Sequence, residues 1–253
     1  MHDAPLFTLA LNGTWVPDPT VRGPFTGMQG GAAAAIMCAA IEEQAGSAFV
    51  VASVTTHFLR PVPLAPLQVT ATPLRIGRRV TVVDATLAAQ SEVCAVQRAT
   101  LIRVIHESAL PTPPPRSTVP ERLPLQTRTA PHGERWMMDA MEVRSGADGA
   151  IWFRLSRPIV ADQRSMTAVL PAADWAHGVT APLGAARRPQ AAIPNPDLMV
   201  HLFRPPEGAW IGLESASAWS TNCVGAGWAA LYDTGGLIGR VAMSIAVAPV
   251  AEA

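Results

Sequence analysis

Residues 30–46, GGAAAAIMCAAIEEQAG, form a nearly unbroken apolar block that opens on two glycines and closes on Gly46. Ala-rich sequence with a flexible entry and a glycine stop predicts a helix. The pattern then changes. FVVASVTTHFLRP at 49–61, LQVTATPLRIG at 67–77, RRVTVVDATLAAQ at 78–90 and VCAVQRATLIRV at 93–104 are rich in β-branched residues and separated by short turn signals. They read as four strands. The same order returns later: AIWFRLSRPI at 150–159 as a strand, AADWAHGVTAPLG at 172–184 as a shorter helix limited by Pro182, then DLMVHLFRP, AWIGLESASAW, GAGWAALYD and LIGRVAMSIAV as strands. Strands that follow one another without intervening helices imply antiparallel pairing, and a single apolar helix must then be covered by its sheet.

Two stretches tie these halves together. HFLRP at 57–61 and HLFRP at 201–205 are offset by 144 residues, and the same offset lays EVCA at 92–95 over GLIG at 236–239 without a gap. An offset sustained over that length indicates an internal duplication. Between the copies, ESALPTPPPRSTVPERLPLQTRTAPHGE at 107–134 is so rich in Pro that neither a helix interior nor a central strand fits. The expected organisation is a first module over 1–106, a Pro-rich linker over 107–134 and a second module over 135–253.

A chain of 253 residues is long enough for two ordinary cores. Apolar residues make up 49% of it, yet no run approaches the roughly 18 consecutive apolar positions of a membrane span. The start, MHDAPLFTLALNGTW, has an acidic residue and no secretory pattern, so a cytoplasmic protein without a membrane partner is expected. Nineteen basic residues, all Arg, balance nineteen acidic ones, which excludes a global field that would attract nucleic acid. Cys38, Cys94 and Cys223 sit far apart among apolar neighbours and read as buried free thiols.

The fold class that follows is α+β: a tandem of two units, each a helix wrapped by a curved antiparallel sheet. With GMQGG opening the first helix, THFLRP, RIGRRV and NPDLMVHLFRPPEGAWIGLES in this order, the chain resembles the double-hotdog acyl-CoA thioesterases of the type II class. The resemblance spans nearly the whole chain. It implies hydrolysis of acyl-CoA thioesters to free acid and CoA, with no cofactor and no metal. It also places the family's water-activating Asp at Asp197, the accompanying hydroxyl at Ser217 or Ser215, and the accompanying Gln at Met243. A thioether donates no hydrogen bond and accepts only weakly, so the water clamp is incomplete and a catalytically weakened acyl-CoA-binding protein is the alternative. A hotdog hydratase would need a close acid–base pair on a recognisable motif, which is missing.

The residues themselves leave other readings open. Asp197 stands where an Asp often only orders a turn. Gly30 and Gly31 supply unshielded N–H groups that could polarise a thioester carbonyl, or simply let the helix approach the sheet. Arg75, Arg78 and Arg79 in RIGRR suit the phosphates of CoA, or are solvated turn charges. His57 and His201 recur at duplicated positions, which favours a structural role. Asp197 and His201 share a strand face but stand about 13 Å apart, too far to pair. Asp174 reads as a cap at the start of the second helix, with His177 one turn on. No GxSxG elbow and no metal-ligand spacing occurs. Unpaired sheet edges lead to the expectation that the halves share one sheet and that the chain forms a homodimer.

Overall fold

The computed structural model describes residues 4–105, 114, 116, 118–128, 133–146, 149–177, 191–246 and 248–249. A short hairpin comes first, β1 (Phe7–Leu9) with β2 (Trp15–Pro17). Helix α1 (Gly30–Ala45) follows, ended by Gly46 at φ +65°. Its residues Ala32 to Cys38 are all buried, as befits a helix apolar on every side. Strands β3 (Phe49–Phe58), β4 (Gln68–Arg75), β5 (Val80–Ala89) and β6 (Glu92–Arg103) complete the first half. The second half comprises β7 (Met141–Ser145), β8 (Ile151–Leu155), α2 (Ser165–Ala173), β9 (Ala191–Ala192), β10 (Asp197–Leu202), β11 (Trp210–Trp219), β12 (Val224–Asp233), β13 (Gly236–Ala246) and β14 (Ala248–Pro249). Among the described residues no helix is long and apolar enough to cross a membrane.

Ten strands form one antiparallel sheet in the order β4-β5-β6-β3-β10-β13-β12-β11-β8-β7. The halves meet at its centre, where β3 and β10 pair from Asp197 opposite His57 to His201 opposite Ser53. These partners are crosswise equivalents under the 144-residue offset, so the seam lies on an internal pseudo-two-fold axis. The continuous sheet is as expected. Helices α1 and α2 lie side by side and antiparallel under it: Gly31 meets Leu170 and Pro171, while Glu42 meets Met166 and Thr167.

The duplicated Arg-Pro motifs do equivalent work. Arg60 pairs with Glu92 at 2.6 Å, and Arg204 pairs with Asp233 at 2.5 Å, each tying the end of a central strand to a neighbouring hairpin. His57 and His201 are exposed on the outer face of the sheet.

Several expectations need correction. The second helix spans 165–173 rather than 172–184, and it contains Pro171, which supplies no N–H to the helix ladder. Residues 178–184 of the expected span lie outside the described residues, as do 107–113, 115, 117 and 129–132 of the linker. Strand β7 lies in a stretch to which the sequence pattern assigns no element. Cys38 and Cys94 are buried, but Cys223 is exposed in the β11–β12 turn at φ +67°.

Candidate active site

At one end of the β3–β10 seam the two strands separate, and a cavity of about 510 Å³ opens between them. The end of β3 with Arg60, Pro61 and Val62 forms one side, and residues 193–196 leading into β10 form the other. The start of α1 and the turn after α2 close its floor. Phe25, Met28, Phe58, Trp175 and Ile193 make its walls apolar, and Gln29, Asp174, His177 and Asn195 line it together with the polar Thr26 and Arg60.

Gln29 caps α1: its Oε1 accepts from the Ala32 N–H at 2.7 Å while its Nε2 donates to the Pro171 carbonyl at 3.0 Å. One buried side chain thus fixes the start of α1 against α2. Asp174 sits at the end of α2 and not at its start. The backbone N–H groups of Gly31 and Gly30 donate to its carboxylate, so it caps the opposite helix. Asn195 Nδ2 donates to Asp174 Oδ1 at 2.8 Å and to the Asp197 carbonyl at 3.2 Å. Burial raises the Asp174 carboxyl above its ordinary value, against the opposing pull of His177, Asn195 and the two glycine N–H groups. Burial lowers the His177 imidazole, against the pull of Asp174. His177 Nδ1 lies 2.9 Å from Met243 Sδ.

The sheet floor below His177 is built from one row. Ser217 on β11, Gly227 on β12 and Met243 on β13 are direct cross-strand neighbours. A Cβ at Gly227 would come within 2.8 Å of His177 Cβ, so glycine there makes room for the imidazole. Ser217 and Met243 thus flank Gly227 in this row. Ser215 is one row away with its hydroxyl buried and unpartnered.

Asp197 is elsewhere. In β10 Leu198, Val200 and Leu202 are buried, and Asp197, Met199 and His201 take the outer face. Asp197 Oδ1 accepts the Ser244 N–H at 2.8 Å, extending the β10–β13 ladder by one bond where the strands part. It does not line the cavity. This bond is what the strand-entrance reading expects of it. Arg75, Arg78 and Arg79 stand at the β4–β5 turn, beside Arg103, whose Nε donates to the Arg78 carbonyl at 2.7 Å. Arg103 pairs with Phe49 at the start of β3, whereas the cavity opens at the end of that ten-residue strand. A full strand, about 30 Å, separates these arginines from Asp174. The signal for Asp174 was present in PAADWAHG, but placing the helix start at 172 made it a local cap.

Residues 21–103 match the acyl-CoA thioesterase N-terminal domain, and residues 106–247 match the acyl-CoA thioesterase C-terminal domain. No curated protein sequence matches the chain. Among solved structures, an acyl-CoA thioesterase II, TesB2, from Mycobacterium marinum is similar with a TM-score of 0.71 at 14% identity, over 96% of its own chain and 98% of this one. A tesB protein of Mycobacterium avium subs. paratuberculosis is similar with a TM-score of 0.66 at 18% identity, over 96% of each chain. A protein of Alicyclobacillus acidocaldarius described as having a hot dog fold has a TM-score of 0.71 at 18% identity, over 97% of its chain and 96% of this one. The fold is the tandem hotdog.

Proposed function

The chain belongs to the acyl-CoA thioesterase family, and from that membership we propose that it hydrolyses acyl-CoA thioesters in the Asp174 cavity. The observation that carries the proposal is a buried carboxylate facing an apolar cavity of about 510 Å³, its pKa raised by that burial. A carboxylate of raised basicity is suited to take a proton from water near neutral pH. The acyl chain lies against Phe25, Met28, Phe58 and Trp175. Asn195 orients Asp174, which removes the proton from a water as its oxygen bonds to the thioester carbon. The tetrahedral intermediate then expels the thiolate of CoA as the C–S bond breaks, leaving the free acid. The positive end of α1, held at the cavity by Gln29, favours the negative charge that develops.

Thiol release from an acyl-CoA panel tests this. Asp174→Asn should lower kcat by about 10²-fold or more, the usual range for a lost general base, while Asp197→Asn keeps most of the activity. Full turnover in Asp174→Asn together with its loss in Asp197→Asn would overturn the assignment. One observation favours a second reading: the group facing His177 is the Met243 thioether, a poor partner for water. An acyl-CoA-binding protein would bind the panel without releasing thiol.

A further inference from the structure

The pseudo-two-fold axis that makes one cavity makes another. At the opposite end of the seam, where β10 ends and β3 begins, a second cavity of about 420 Å³ lies between the strands. Its lining repeats the first. Phe58, Arg60 and Pro61 of the first cavity correspond at the 144-residue offset to Leu202, Arg204 and Pro205 of the second. Ile193 to Pro196 correspond in the same way to Phe49 to Ala52.

The helices agree. As Asp174 caps α1, so Glu42 caps α2, accepting from the Met166 N–H at 3.1 Å and from Thr167 Oγ1 at 2.6 Å. An offset of 132 residues takes Glu42 to Asp174 and Ala45 to His177, and all four residues line their respective cavities. The second cavity therefore keeps the shape, the apolar strand walls and a buried carboxylate. It lacks the rest: Ala45 replaces His177, and Val51 replaces Asn195, so neither of those side chains brings a polar atom.

We infer that this second cavity binds an acyl chain with an anionic head group without hydrolysing it. The apolar part is met by Phe49, Val50, Ile102 and Phe203. The head is met by arginines. Arg164 lines the cavity, and Arg103 stacks 4.8 Å from the Phe49 ring centre and carries the Arg78–Arg79 turn on its hydrogen bonds. The basic turn that lies a strand away from Asp174 is thus joined through Arg103 to Phe49, which lines this cavity. Acyl-CoA and the free fatty acid share the required chemistry. The ligand class rests on the thioesterase reading.

The test is equilibrium binding to the whole chain of S-decyl-CoA, a thioether that cannot be hydrolysed, and separately of decanoic acid and CoA. The wild type is expected to bind two equivalents of S-decyl-CoA. Ala45→Phe, on α1, and Ala52→Trp, on β3, each fill the second cavity and are expected to bind one equivalent while keeping thiol release at limiting substrate. Displacement of a single equivalent by decanoic acid would identify the free acid as an occupant, and its failure to displace would identify acyl-CoA. One equivalent on the wild type, or two retained by both filled variants, overturns the inference. One equivalent with normal thiol release leaves the hydrolytic reading intact, and two equivalents without thiol release overturn that reading alone.

Discussion

Gly31→Ala offers the sharpest check on how the helix pair builds the site, because two effects of known sign oppose each other there. Within an exposed helix, Ala in place of Gly stabilises by about 1 kcal/mol. At position 31 the new Cβ would stand 2.4 Å from the Leu170 carbonyl oxygen, 2.7 Å from Asp174 Cβ and 2.9 Å from Pro171 Cα. Ordinary contact begins near 3.4 Å, so α1 and α2 must separate by about 1 Å. Overpacking of this kind costs about 1–3 kcal/mol, and two of the obstructing atoms are backbone, which cannot rotate away. Because backbone atoms obstruct, the clash wins, with a net loss of up to about 2 kcal/mol, read as a lower urea midpoint at unchanged slope. The residue displaced is Asp174, so kcat/KM should fall at least tenfold in the same variant. Gly30→Ala meets a Phe58 ring edge at 3.0 Å and Asp174 Oδ1 at 3.1 Å, both side chains that can yield, and should destabilise less. A Gly31→Ala protein as stable and as active as the wild type would refute the close-packed helix pair as the support of the site.

Two further outcomes follow from the ionised groups. Since burial raises the Asp174 carboxyl, kcat/KM should rise with pH through a midpoint above the usual carboxylate value. The folded state also holds that proton more tightly than the unfolded chain, so the stability it contributes is full below the unfolded pKa and is lost as pH rises through the folded one; thermal unfolding of Asp174→Asn should lack this loss. Arg204→Ala should cost about 3 kcal/mol, the lower end for breaking a buried pair, because Asp233 keeps the N–H groups of Glu207 and Gly235. Burial alone would raise Asp233, but the Arg204 guanidinium and the Glu207 N–H hold it below its ordinary value. Its stabilisation is present above the unfolded pKa and lost as pH falls through the folded one, so the difference between Arg204→Ala and wild type should shrink in strong acid.

Local sequence carried α1 and most strands of the main sheet because those segments are buried as their own pattern demands. GGAAAAIMCAAIEEQAG can satisfy itself only as an enclosed helix, and alternation in DLMVHL announces a strand with one wet face. Helix α2 escaped because SMTAVLPAA carries a Pro that argues against it, and only packing on α1 settles the matter. That displacement concealed the site. The local pattern makes Asp174 a cap of its own helix, although it faces the start of α1, 144 residues earlier, and Asn195, two residues before Asp197, lines the cavity that Asp197 does not. Ser217 and Met243 fall in one cross-strand row because strand register preserves the spacing of the sequence. The arginines of RIGRR carry no signal of which end of the sheet they occupy. The 144-residue offset did, but its meaning for the cavities required both ends of the seam in view.

The β3–β10 seam also governs how the chain can come into being. Strand β3 leaves the ribosome well over a hundred residues before β10, and until then its outer hydrogen-bonding edge and the flank of α1 have no partner. Such an edge invites pairing with any extended chain, and contacts so distant in sequence form late. The nascent first half is thus an unfinished surface, and a protein cut within the linker should not yield two well-behaved pieces but a half that seeks its missing strand in other molecules.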